Sequence, residues 1–426
     1  MMEEIRLIAV EKENGTIKYN WTCSDGLKKY FTQNDFIIEY PENVEEVPDG
    51  VLVIPFAAAA LPISWLTDCS LHLPELDRDF FDSVPKIKDA FAAMYPEAHF
   101  GGRLFVDTVT DNVPRVSGGT AAFFSGGIDA TTTLLRHIEE KPALLSLWGA
   151  DVAFDNTAGW SIVDAGIAET AKQYGLAYVT IHTMFRNFED VMALTADFRH
   201  VLHTTWWYGI GIISHAAPYA WLHGIKAVYI ASSDCEEDGP QQCASYPTID
   251  NNVAYCGCRT VHDGFELNRQ DKTKVIVDYH RSHSSVPVAI RACWKSTDGR
   301  NCCRCEKCYR TMSGFWAEGE DPREYGFDYP PNAFRRMYQT IALHADDLPA
   351  HSWTYIKRRF NNNWDNIQDK PYAKKIKWIK RYDFFNLSEN SCRKKYLRTW
   401  KVKSQLVKAF PKMYKLYIKL RGYSFE

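Results

Sequence analysis

From residue 119 the chain repeats one pattern: a short apolar run, a turn, then a longer stretch with helical spacing. Ala121–Phe124, Ala143–Trp148, Leu176–His182 and Ala227–Ala231 have the length and composition of buried strands. Between them the spacing predicts helices over about Ala130–Glu139, Ser161–Tyr174 and Phe198–His223. This βα repetition predicts an α/β fold. Strands apolar on both faces must be buried on both, so the expected core is a parallel sheet with helices on both faces. Such sheets bind ligands beyond the carboxyl ends of their strands. The stretch Val201–Ile225 has no Lys, Arg, Asp or Glu, but it contains His203, His215, Pro218 and His223. It therefore reads as a buried helix and not as a membrane span.

The flanking regions follow other patterns. Residues 1–60 alternate polar and apolar runs and are expected to be mostly β. Phe80, Phe81, Val84, Ile87, Phe91 and Met94 predict a helix over Asp77–Tyr95. Residues 232–266 read as loop, Arg269–Tyr279 as a short helix, and 326–426 as helices with basic faces. The expected division is an N-terminal α+β domain or cap of unassigned role (1–115), a central domain (116–325) and a basic helical region (326–426).

Composition adds one asymmetry. The 426 residues are 46 % hydrophobic and 24 % charged, as in an ordinary globular protein long enough for two or three domains. Net charge is only −3, yet residues 351–426 hold 20 Lys/Arg against 5 Asp/Glu, and the remainder 30 against 48. In the tail Lys374, Lys375, Lys377, Lys380, Arg381, Arg393, Lys394 and Lys395 alternate with Trp378, Tyr382, Tyr396 and Trp400. That mixture suits docking on the chain's own acidic body, contact with nucleic acid, or contact with an anionic membrane. Nothing at the N-terminus reads as a secretory signal, so a reducing cytoplasm is expected.

Cys293, Cys302, Cys305 and Cys308 have knuckle spacing in the stretch ACWKSTDGRNCCRCEKC. Four thiolates fill the tetrahedron of one Zn²⁺ and leave no open position, which predicts a structural zinc site. Cys303 reads as a bystander. Cys235, Cys243, Cys256 and Cys258 read as small loop residues with nothing to activate them. His262-Asp263-Gly264 is either a turn or a general base oriented by its neighbour.

Ser125-Gly126-Gly127-Ile128-Asp129 follows the first strand of the βα series and opens a helix. The glycines allow close backbone approach, Ser125 and Thr131 are donors for phosphate oxygens, and Asp129 suits a Mg²⁺ ligand. This loop resembles the S-G-G-x-D-S/T loop of the ATP pyrophosphatase (PP-loop) superfamily. The cysteine spacing, with Arg310 soon after Cys308, resembles the zinc site of the 7-cyano-7-deazaguanine synthase family within it. Ser245-Tyr246-Pro247 with Asp250 resembles that family's base-contacting S-G-Y-P-D segment, and Asn268-Arg269 falls at its Thr-Lys helix start. The similarity covers about residues 119–315. It departs at Ala130, where the family has Ser, and at His203-Thr204-Thr205-Trp206, where the family has an Arg-Asn pair.

The resemblance implies an adenine nucleotide alpha hydrolase-like fold, ATP and Mg²⁺ as well as Zn²⁺. It implies nucleotide contacts from Ser125, Gly126, Gly127, Ile128, Asp129, Thr131 and Leu147, and a small-molecule substrate held by Tyr246 and Asp250. Asp129 and Arg269 are the implied catalytic residues, with Arg269 approaching the triphosphate; the residues alone leave Arg269 and Lys272 open between a phosphate clamp and a solvated helix face. The implied activity is adenylation of a carboxylate or amide oxygen with release of pyrophosphate. An amine, ammonia or a sulfur donor then displaces AMP. Two other expectations remain open, a tRNA-thiolating enzyme and a degenerate ATP-binding sensor or scaffold. A homo-oligomer is compatible with each.

Overall fold

The computed structural model describes residues 3–32, 35–198, 209–283, 288–293, 295–296, 298–343, 348–385 and scattered positions from 394 to 410. The chain forms two compact units, Met1–Arg300 and Asn301–Glu426. The first is built on one eleven-stranded sheet. Its strands are β1 (Glu4–Glu13), β2 (Thr16–Cys23), β3 (Ile37–Glu39), β4 (Ser70–Asp77), β5 (Arg103–Thr110), β6 (Thr120–Phe123), β7 (Ala143–Trp148), β8 (Tyr178–Thr183), β9 (Ala227–Ala231), β10 (Ala254–Tyr255) and β11 (Cys258–Asp263). They lie in the order β10-β11-β9-β6-β7-β8-β3-β2-β1-β4-β5.

The parallel sheet expected from the βα repeats is present as the block β11-β9-β6-β7-β8. The whole sheet is nevertheless mixed. β1 and β2 form an antiparallel hairpin around Asn14-Gly15, with Asn14 at a left-handed φ of 53°. β3 then pairs antiparallel with both β2 and β8, through Ile38 opposite Thr183 and Glu39 opposite His182. The N-terminal strands thus extend the sheet of the βα series. The segment 232–266, read as loop from the sequence, contributes the fifth parallel strand, β11, and its short partner β10.

Helices cover both faces of the parallel block. On one face Leu145, Val179, Ile181, Val228 and Ile230 pack with α1 (Ile54–Thr67) and the helices Ile210–Ser214 and Ala217–His223. On the other, Phe124 and Leu144 pack with α3 (Ile128–Arg136) and α4 (Thr157–Tyr174) through Leu134, Trp160, Val163 and Ile167. The sequence expectation of β structure through residue 60 fails at α1. That segment, IPFAAAALPISWLT, is apolar all round, and a wholly buried helix has no periodicity to reveal it. α2 (Arg78–Met94) matches its amphipathic pattern, and Asp77 caps it by accepting from the Phe80 N–H. Of the helix expected over 198–223, Ile210–Ser214 and Ala217–His223 are helical and buried, while 199–208 lie outside the described residues. Among the described residues no helix is long and apolar enough to cross a membrane.

The second unit is helical. α6 (Glu306–Glu318), α7 (Ala333–Leu343) and α8 (Ala350–Asn362) surround Phe315, Trp316 and Trp353. The fully buried Glu318 carboxylate is forked by Arg359 at 2.6–2.9 Å, which meets the requirement that a buried charge be paired. Of the basic tail, Lys374, Lys375, Lys377 and Arg381 are exposed, Tyr382 is buried and Trp378 is half-buried against Tyr338. These aromatics belong to the unit's own core. Lys394 and Lys395 are exposed, and Arg393, Tyr396 and Trp400 lie outside the described residues.

His215 closes the helix Ile210–Ser214 without any exposure to solvent. Its Nδ1–H donates to the Gly211 carbonyl at 2.6 Å, and Nε2 accepts from the Thr183 hydroxyl at 2.9 Å. Burial pushes it down to about 4, only partly opposed by the Gly211 bond. An unfolded histidine takes up a proton near pH 6.5. The folded one resists, so its contribution to stability is complete above 6.5 and is lost as pH falls toward 4, at about 1.4 kcal/mol per pH unit. Urea unfolding followed across this window should show a slope that His215→Gln reduces by up to one proton. An unchanged slope in the variant would refute the assignment.

Candidate functional site

The order of the parallel block decides where a ligand fits. The chain runs from β6 to β7 and β8 on one side, then returns to place β9 and β11 on the other. β6 therefore sits at the point where the strand order reverses, and in such sheets the ligand crevice lies beyond the carboxyl end of that strand. Ser125, Gly126 and Gly127 occupy that crevice. Gly126 has a left-handed φ of 74°, which any side chain would strain. Gly127 is the N-cap of α3 and no side chain caps that helix start, so its positive end faces the crevice. Ser125 is exposed, Ile128 is buried in the core, and Leu147 is half-buried on the neighbouring β7. Thr131 is buried, and its hydroxyl has no hydrogen-bond partner.

The second helix start at this site is of a different kind. α5 (Arg269–Ser282) is capped by Asn268, whose side chain accepts from the N–H groups of Gln270 and Asp271 at 2.9 and 3.1 Å. What α5 offers the crevice is cations. Arg269 hydrogen-bonds the Asp129 carboxylate, and Lys272 Nζ lies 3.6 Å from it while donating to the Ser232 carbonyl at 2.6 Å. The structure thus brings together Asp129 and Arg269, and adds Lys272, which is almost wholly buried. α3 is held beside α5 by Thr132 to the Lys272 carbonyl. It is held to β11 by Thr133, Arg136 and His137, which all reach Asp263.

Tyr246 and Asp250 lie farther along the same carboxyl edge. Asp250 is fully buried, accepts from Ser245 Oγ at 2.7 Å and pairs with His262 Nδ1 at 2.8 Å. Burial raises its carboxyl above the usual range, with His262 opposing. Tyr246 is half-buried, its ring edge-on to Phe265 at 5.0 Å. In the sequence His262 stands beside Asp263, but a strand turns neighbours to opposite faces. Asp263 serves α3, and the partner of His262 is Asp250, twelve residues earlier. The other ring nitrogen, Nε2, is buried without a partner. The axes of β6 and β11 are two strand spacings apart, about 10 Å.

Two thiols of this region are held neutral by burial. Burial, with Asp234 beside it, pushes Cys243 up to about 12, and burial pushes Cys258 up to about 12 as well.

Cys293, Cys302, Cys305 and Cys308 do cluster. Their sulfur atoms all lie within 4.8 Å of one another, and those of Cys302 and Cys308 are 3.9 Å apart. A tetrahedral zinc with bonds near 2.3 Å needs sulfur separations of about 3.8 Å. The donor set therefore fits a metal such as zinc. Cys305 is also the N-cap of α6 and accepts from the Cys308 N–H at 3.4 Å, which orients that sulfur. Cys303 takes a left-handed φ of 51° and points at the Asn301 carbonyl, outside the cluster.

No protein-family model matches this chain, and neither a curated protein nor a solved structure does.

The cysteine geometry makes a direct prediction. Cys302→Ser or Cys305→Ser should lower bound zinc from about one ion per chain to a small fraction and reduce the melting temperature, because a closed thiolate site contributes folding energy. Cys303→Ser should change neither. Elemental analysis and thermal melts check this, and equal loss in the Cys303 variant would exclude the assigned ligand set.

Proposed function

We propose that this protein is an ATP-dependent, AMP-forming enzyme of the PP-loop class. The observation that carries the reading is the pairing of an uncapped helix start behind Gly126-Gly127, at the strand-order reversal, with Arg269 and Lys272 across from it. That arrangement has the donors and charge a polyphosphate needs. The order β8-β7-β6-β9-β11 supports an adenine nucleotide alpha hydrolase-like architecture. The cysteine cluster adds a structural metal, as in the 7-cyano-7-deazaguanine synthase family.

In this reading Arg269 and Lys272 exchange the Asp129 carboxylate for phosphate oxygens. Asp129 is then released to serve as a ligand for the Mg²⁺ that accompanies ATP. Ser125 and the first turn of α3 hold the phosphates in line. A carboxylate or amide oxygen of the substrate attacks the α-phosphorus, and pyrophosphate leaves with the bonding pair. An amine then attacks the adenylated carbon and AMP departs. His262, held by Asp250, is the group suited to take the proton the amine loses. Tyr246 borders the same space. The protein's contribution is positioning and charge neutralisation.

Incubation of zinc-loaded protein with Mg-ATP and the low-mass fraction of a cell extract should yield AMP and pyrophosphate. Asp129→Ala should lower this at least about 10²-fold. Mass spectrometry of the nucleotide products checks it. ADP and phosphate in their place would refute attack at the α-phosphorus, and nucleotide binding without turnover would favour a sensor.

A further inference from the structure

We infer that Arg291 is a further phosphate-binding residue of the glycine loop, contacting the β- and γ-phosphates of ATP. The inference rests on the nucleotide reading above and adds a residue that no motif in the sequence marks. Arg291 lies against the loop through its backbone: its N–H donates to the Gly126 carbonyl at 2.7 Å. Its Cβ is 3.5 Å from where a Cβ on Gly126 would stand, and its carbonyl oxygen is 3.7 Å from the equivalent point on Gly127. The loop conformation and the position of Arg291 are therefore coupled.

The chemistry of the side chain points to an anion. Arg291 Nε is shielded from solvent and has no hydrogen-bond partner. Among the described residues no carboxylate pairs with Arg291. The other two cations of the site differ in this respect, since Arg269 and Lys272 both engage Asp129. A buried donor left unsatisfied is costly, and more so when the group is charged. A guanidinium satisfies that need best with phosphate, whose oxygens match its fork of N–H groups. Thr131, one turn into α3, supplies a second buried donor group with no partner. An oxyanion at the loop would give both an acceptor. Arg269 and Lys272 from α5 and Arg291 from the segment that follows it then share the polyphosphate.

Calorimetric titration with Mg-α,β-methylene-ATP, Mg-pyrophosphate and AMP tests this on the full chain. Arg291→Gln should weaken the first two probes about 10–100-fold and leave AMP binding within about twofold. Arg291→Lys, which keeps the charge but not the fork, should fall between. Metal content and melting temperature serve as folding controls, because Cys293 is only two residues away. If Arg291→Gln fails them, Arg291→Lys alone carries the comparison. Unchanged affinity for ATP analogue and pyrophosphate would overturn this inference alone, as would an equal loss for AMP. Absence of binding by the wild type would overturn the nucleotide reading and this inference with it.

Discussion

The constraint on which the site depends is the double pairing of β6, with β7 on one side and β9 on the other. A strand in that position has chain leaving in one direction and returning in the other, which leaves room for a ligand beyond its carboxyl end. The short turn that follows must pass directly into α3, and Gly126 supplies the left-handed residue that makes the turn. The result is a helix start left without a side-chain cap in a crevice, where its partial positive charge is available to an anion.

At that crevice two cations share one carboxylate. Asp129 stands against Arg269 and Lys272, and Lys272 is held in the interior by the Ser232 carbonyl. Buried charges need partners, and within this group Asp129 has Arg269, while Lys272 has Asp129 and the Ser232 carbonyl. The asymmetry of the two helix starts fits the same logic. α5 is closed by Asn268 and contributes side chains, whereas α3 is open and contributes its backbone.

Along the same edge, the alternation of β11 sorts two adjacent residues into different tasks. Asp263 ties β11 to Thr133, Arg136 and His137 and so fixes α3. His262, turned to the other face, is paired with Asp250. The structure brings Asp250 together with His262 and Ser245. Its Oδ2 takes both the Ser245 and the His262 bonds, while the ring nitrogen Nε2 of His262 is buried without a partner among the described residues.

Much of this was legible in the chain itself, for identifiable reasons. The strands β7 and β9 were read to the residue, because short apolar runs between turns have few alternatives. The glycine loop and the four cysteines were also legible, since their chemistry depends on residues close together in sequence. What the sequence could not determine depends on contacts between distant segments. The fully buried α1 has no polar face to set its period, and β11 lies in a polar stretch that becomes a strand only beside β9. Residues 1–110 join the βα sheet through the pairing of β3 with β8 and through the packing of α1 on its face. The partner of His262 and the placement of Arg291 beside Gly126 arise across 12 and 165 positions respectively. Local composition sets which groups are available, but only the packed sheet decides which of them share a crevice.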